Sequence, residues 1–195
     1  KLVEKELYRQ IKAGDIILLS MRMPYHFGGT YYKFPPSDFI FIKKDGSFGS
    51  QENYFDEWIT SVVNLANMAQ KQGAKIIIQT PNPEWEEELN NSCTKNEWFN
   101  ISQKRNCQIE SKFFIDEKRG VHKHLFEKLD RLSNSHENIY LFDTYKIVCP
   151  ESTCNFIKNG FEIYYDDNHL SYGWARDILA PKIYKFINEI QPIDK

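Results

Sequence analysis

The order of apolar segments predicts an α/β fold in which helices cover a parallel sheet. Three short aliphatic runs, 15–20 (DIILLS), 74–80 (AKIIIQT) and 138–143 (NIYLFD), are continuously apolar rather than alternating, the pattern of strands buried on both faces. Helical periodicity fills the intervals between them. One stretch spans 51–71, with Phe55, Ile59, Val62, Val63, Leu65 and Ala66 on its apolar stripe; a second spans 112–132, with Phe114, Val121, Leu125 and Leu129. Gly73 follows the first where a helix-ending glycine belongs. A last helix carries Ile178, Leu179, Ile183, Phe186, Ile187 and Ile190, with a bend expected at Pro181. The chain starts on a helical segment, LVEKELYRQIKAG, that feeds the first strand. A doubly wound sheet normally has a further βα unit ahead of such a segment.

A length of 195 residues fits one domain with its own core, so a single domain over 1–195 is expected. The balance of 25 Lys and Arg against 27 Asp and Glu, a net charge of -2, with no basic run, argues against a nucleic-acid partner. No apolar stretch approaches the roughly 20 residues that span a bilayer, and the opening residues lack the apolar segment of a signal peptide. Any export signal or membrane anchor is therefore expected outside this segment.

The four cysteines fall into two local pairs, Cys93 with Cys107 and Cys149 with Cys154. Three pairings are open to four cysteines; the local one suits an oxidising compartment. Zinc prefers tighter Cys-x2-4-Cys or His-containing spacing, which neither pair has, and buried free thiols are the remaining alternative. No cofactor or metal is expected.

Residues 21–50 form a long connection rich in Gly, Pro and aromatics after the first strand. Ligands of open α/β sheets bind at the carboxyl ends of strands, which makes this a candidate active-site loop; a surface excursion with a small hairpin is the other reading.

The densest polar cluster is YYDDNHLS, residues 164–171. Asp166 and His169 are three apart ahead of the last helix, a spacing at which a turn can fold the carboxylate onto the imidazole Nδ1 and leave Nε2 as a general base. Helix capping by Ser171, Asp167 or Asn168 explains the same residues without catalysis. A metal held by Asp166, Asp167 and His169, with His26, is a third reading.

YYDDNHLS, preceded by CPESTCNFIKNGFEI, resembles the end of an SGNH (GDSL-like) domain of the kind fused behind the membrane-embedded acyltransferase-3 domain of bacterial O-acyltransferases. AGDIILLSMR, IIIQTPNPEW and CTKNEWFN are similar to the middle of such domains, so the likeness spans most of the chain. It implies a three-layer α/β/α sandwich with a flavodoxin-like parallel sheet, in which Asp166 orients His169 and His169 activates a serine. The implied reaction is O-acyl transfer, with acetyl as the simplest group, to a hydroxyl of a surface polysaccharide or lipopolysaccharide sugar. The implied location is the outer face of the inner membrane, and the implied acyl source a transmembrane acyltransferase domain of the same protein.

Two parts of the pattern are missing. No Gly-Asp-Ser occurs, because Gly14-Asp15 precedes a strand rather than following one, and the chain reads as lacking its first βα unit and as inactive alone. No Gly-x-Asn-Asp block occurs either, which leaves Ser20 and Arg22 as weak oxyanion candidates. Trp85, Trp98, Tyr25, Tyr31 and Tyr32 could stack on sugar rings or fill the core. A free-standing SGNH carbohydrate esterase and a non-catalytic glycan-binding or structural domain are the alternative functions.

Overall fold

The computed structural model describes residues 8–27, 41–43, 45–84, 108–110, 123–150, 153–159 and 161–191, and it divides into two compact units. One comprises residues 1–81 and 122–142, the other 82–121 and 143–195.

The first unit holds the parallel sheet. Its strands are β1 (Ile16–Leu19), β4 (Lys75–Gln79) and β6 (Ile139–Phe142), in the order β1-β4-β6. Ile16 is opposite Lys75 and Ile76 opposite Ile139, with every pairing parallel. Between β1 and β4 run the short helix α1 (Met23–Phe27), the hairpin of β2 (Phe41–Ile42) and β3 (Phe48–Gly49), and the long helix α2 (Gln51–Lys71). Helix α3 (Lys123–Asn134) leads into β6.

Local chemistry sets these boundaries. Ser50 accepts the N–H of Asn53 and Asn53 returns a bond to the N–H of Ser50, a reciprocal box that starts α2. The same helix ends where Gly73 takes φ +72°, with the N–H of Gly73 on the carbonyl of Gln70 and that of Ala74 on Ala69. This is the crossed pair of bonds that a left-handed glycine permits. The helix therefore covers the span its periodicity predicts.

β4 is the centre of the core: Ile76, Ile77 and Ile78 have no exposed surface. Val62, Ala66 and Ala69 of α2 and Leu125, Leu129 and Leu132 of α3 share the core, with Met23 and Phe27 of α1. Asn138, the residue before β6, sends its amide to the carbonyl of Ala66 at 2.8 Å, so this buried polar side chain links the end of α2 to the start of β6.

Some expectations need correction, and others fall outside the described residues. β1 is not buried on both faces, since Leu18 is 43% exposed; only the central strand has neighbours on both sides among the described residues. The described part of 112–132 is helical from Lys123, and its residues 112–122 lie outside the described residues, as do Trp85, Trp98, Tyr31, Tyr32, Cys93, Cys107 and the side chain of Tyr25. The connection after β1 ends in a small hairpin, β2–β3, turned by Asp45 and Gly46, as one of its two readings has it, but it begins with a helix whose Met23 and Phe27 are core residues rather than with surface chain.

In the second unit, β5 (Gln108–Glu110) pairs antiparallel with β7 (Thr153–Asn155), and β8 (Ile157–Lys158) with β9 (Phe161–Glu162). Helix α4 (Thr144–Val148) starts on an Asp143 cap. The closing helix has three parts: α5 (Tyr172–Trp174), one π turn over Ala175–Leu179, and α6 (Ala180–Ile190). In the π turn the N–H of Ala180 reaches back five residues to Ala175. Pro181, which has no N–H to give, follows at once, so the helix meets the proline with a shift of register. On α6 the residues Ile183, Phe186, Ile187 and Ile190 are half-buried.

Candidate active site

Residues 163–171 fold back on themselves. Tyr164 bridges Leu170 in antiparallel fashion, the N–H of Tyr165 donates to the carbonyl of His169, and that of Ser171 to Ile163. Asp166, Asp167 and Asn168 close this ladder as a tight loop. Asp166 holds the loop in shape from within: its Oδ1 accepts the N–H of Asn168 at 3.0 Å and of His169 at 2.6 Å. Short polar side chains that bond the backbone two or three residues ahead are what turn such a loop.

The second carboxylate oxygen is thereby aimed at the imidazole. Oδ2 of Asp166 lies 2.7 Å from Nδ1 of His169, the contact the spacing of the two residues predicts. A carboxylate at Nδ1 favours the tautomer with its proton on that nitrogen, which leaves the lone pair of the neutral ring on Nε2. The His169 side chain is 68% exposed, against 30% for Asp166. The imidazole therefore faces outward on a carboxylate that is held by the loop's own backbone.

Electrostatics follow the same division. Partial burial pushes the pKa of Asp166 up, but the N–H groups of Asn168 and His169 and the His169 side chain outweigh it and hold the carboxyl below the usual range.

The helix cap and the carboxylate–imidazole contact fall on different residues. Ser171 accepts the N–H of Trp174 as cap of the last helix, and its hydroxyl donates to the carbonyl of Glu162. Asp166 takes no part in that cap. Among the described residues, no three His, Cys, Asp or Glu side chains converge as a metal site.

Sequence reasoning missed Asn82 and Tyr164. Asn82, two residues beyond the Thr80 that follows β4, gives its amide to the carbonyls of Pro83 and Asn168, each at 3.1 Å. Buried Tyr164 donates its hydroxyl to the same Pro83 carbonyl at 2.7 Å. Asn82 and Pro83 are thus tied to the loop that bears His169. The only signal available was their position at the carboxyl end of a central strand.

Cys149 is bonded to Cys154 in the approach to β7, closing the link between α4 and the hairpins. Ser20 and Arg22 follow β1 in the first unit, and the Ser20 hydroxyl donates to Oε1 of Gln79 at 2.9 Å. Arg22 contributes, after burial, to lowering the pKa of His26. Asp15 accepts the N–H of Lys12, an ordinary turn contact at the start of a strand.

No curated protein matches the chain. The family model described as SGNH domain (fused to AT3 domains) matches residues 2–183, through both units. A match over nearly the whole sequence, ending beyond the Asp166–His169 loop, identifies the chain as a member of the family of SGNH domains fused to AT3 domains.

Proposed function

We propose that this chain supplies the general base of an extracytoplasmic O-acyltransferase, which transfers an acyl group, acetyl in the simplest case, to a hydroxyl of a cell-surface polysaccharide or lipopolysaccharide sugar. The observation that carries the reading is the 2.7 Å contact between Asp166 and Nδ1 of an exposed His169. Membership in a family fused to AT3 domains supports a membrane-embedded acyltransferase domain as the acyl source. The disulfide suits the oxidising side of the inner membrane.

The nucleophile in this reading is a serine outside this chain. Nε2 of His169 takes the proton of its hydroxyl as the oxygen bonds to the acyl carbon, and the imidazolium returns that proton to the departing donor group. His169 then takes the proton of the sugar hydroxyl as that oxygen attacks the acyl carbon, and serine leaves with the proton restored. Asp166 stays ionised throughout and stabilises the imidazolium.

The test is acyl transfer by the full-length membrane protein. His169→Ala should lower turnover by about a hundredfold to ten-thousandfold, the usual worth of a positioned base. Turnover within twofold of the parent protein would remove His169 from the mechanism. Acyl-ester hydrolysis with no transfer to any sugar would favour an esterase.

A further inference from the structure

We propose that Tyr165 and Tyr172 form the platform on which the acceptor sugar lies beside His169, and that the sugar is a neutral pyranose. The proposal rests on the acyltransferase reading above and names what that site binds.

The placement follows from the ladder. With Tyr164 opposite Leu170 and the N–H of Tyr165 on the carbonyl of His169, Tyr165 is directly across from His169. Directly opposed residues of an antiparallel pair project to the same face with Cβ atoms about 5 Å apart. Tyr164 and Leu170 project to the other face, where Tyr164 is buried. Tyr165 is 74% exposed, so its ring is spent on no packing.

Tyr172, three positions beyond His169 and the first residue after the Ser171 cap, is 78% exposed. Its ring is oriented: the Arg176 guanidinium lies over it at 5.5 Å from the centroid. Arg176 is in turn fixed by two bonds to Asp177, at 2.6 and 2.7 Å. A single exposed aromatic needs no explanation; Tyr165 across from His169 and Tyr172 three positions beyond it put two in one short stretch of chain.

The chemistry selects the ligand. The axial C–H face of a pyranose lies flat on an aromatic ring while its hydroxyls stay in water or meet phenol groups, which places a rim hydroxyl near the base. Asp177 neutralises Arg176, and Asp166 and Asp167 lie in the same loop, so among the described residues of this segment no surplus positive charge favours a uronic acid. The nearby cavity of about 330 Å³, walled by Ile163, Trp174 and Ile178, is apolar and suits hydroxyl-rich rings poorly.

Saturation-transfer NMR on the full-length protein in detergent, with methyl β-glucopyranoside as probe, tests this directly. The expected result is saturation of the sugar's C–H protons by the parent protein and by His169→Ala. Tyr165→Ala combined with Tyr172→Ala should lose the signal, Tyr165→Phe should retain it, and methyl glucuronide should show much less. In acyl transfer to the same glucoside, Tyr165→Ala should raise the acceptor KM about tenfold, with kcat changed less than about twofold. Undiminished saturation in the double alanine variant, absence of saturation in the parent, or equal response to the glucuronide overturns the platform. Loss of transfer in His169→Ala with saturation kept separates base from platform; transfer intact in His169→Ala sinks the base and leaves the platform to the NMR result.

Discussion

Asp166 makes three bonds with one carboxylate, and the pH behaviour of the loop follows from them. Its folded pKa is depressed, so the stability it contributes is present above the ordinary aspartate value and is lost as pH falls through the folded one. Parent protein and Asp166→Asn should therefore differ in denaturation midpoint at pH 7 and converge as pH falls below about 4. A difference that persists unchanged to pH 2 would mean that the charge is irrelevant to the turn. At this scale the sequence was informative where partners are close in number: Asp166, His169 and Ser171 were legible because a turn of three residues leaves few geometries. Asn82 was not, because its bond to Asn168 spans 86 positions and depends on how the strands are ordered.

Elements were legible in proportion to their length and to the strength of their end signals. Helix α2 carries a capping serine, a long apolar stripe and a terminal glycine, and all three agree on its bounds. The short strands showed as aliphatic runs, but which side chains a neighbouring element covers was not written in composition, and Leu18 is exposed. The residues after β1 misled because an aromatic-rich connection reads as a loop even where Met23 and Phe27 fill the core. Ser171 is the end signal of the closing helix and also bonds back to Glu162. Ser171→Ala should cost about 1 kcal/mol from the lost cap, a fall in Tm of about 2 to 4 °C by calorimetry. No change in Tm would show that water replaces both bonds at no cost.

On the scale of the whole molecule, the fold class, the family and one cystine were readable, and all rest on patterns extending over many residues. The Cys149–Cys154 link closes a loop of few residues, so its worth is modest, about 2 kcal/mol on chain-entropy grounds. Cys149→Ser with Cys154→Ser should lower the denaturant midpoint accordingly, and treatment with reductant should lower the parent toward the variant. Equal midpoints in all three would show the link to be dispensable. The π turn at Ala175–Leu179 has a consequence for the tolerance of the chain to insertion and deletion. A π turn is a helix that has already absorbed one extra residue. A residue lost at that turn restores ordinary hydrogen bonding and leaves the helix beyond it close to its present facing, because the surplus residue was taken up there. A residue lost at the start of α6 instead rotates everything beyond it by about 100° and draws it in by about 1.5 Å, which turns the half-buried stripe of Ile183, Phe186, Ile187 and Ile190 out of line. In this helix the irregular turn is the part whose length can vary.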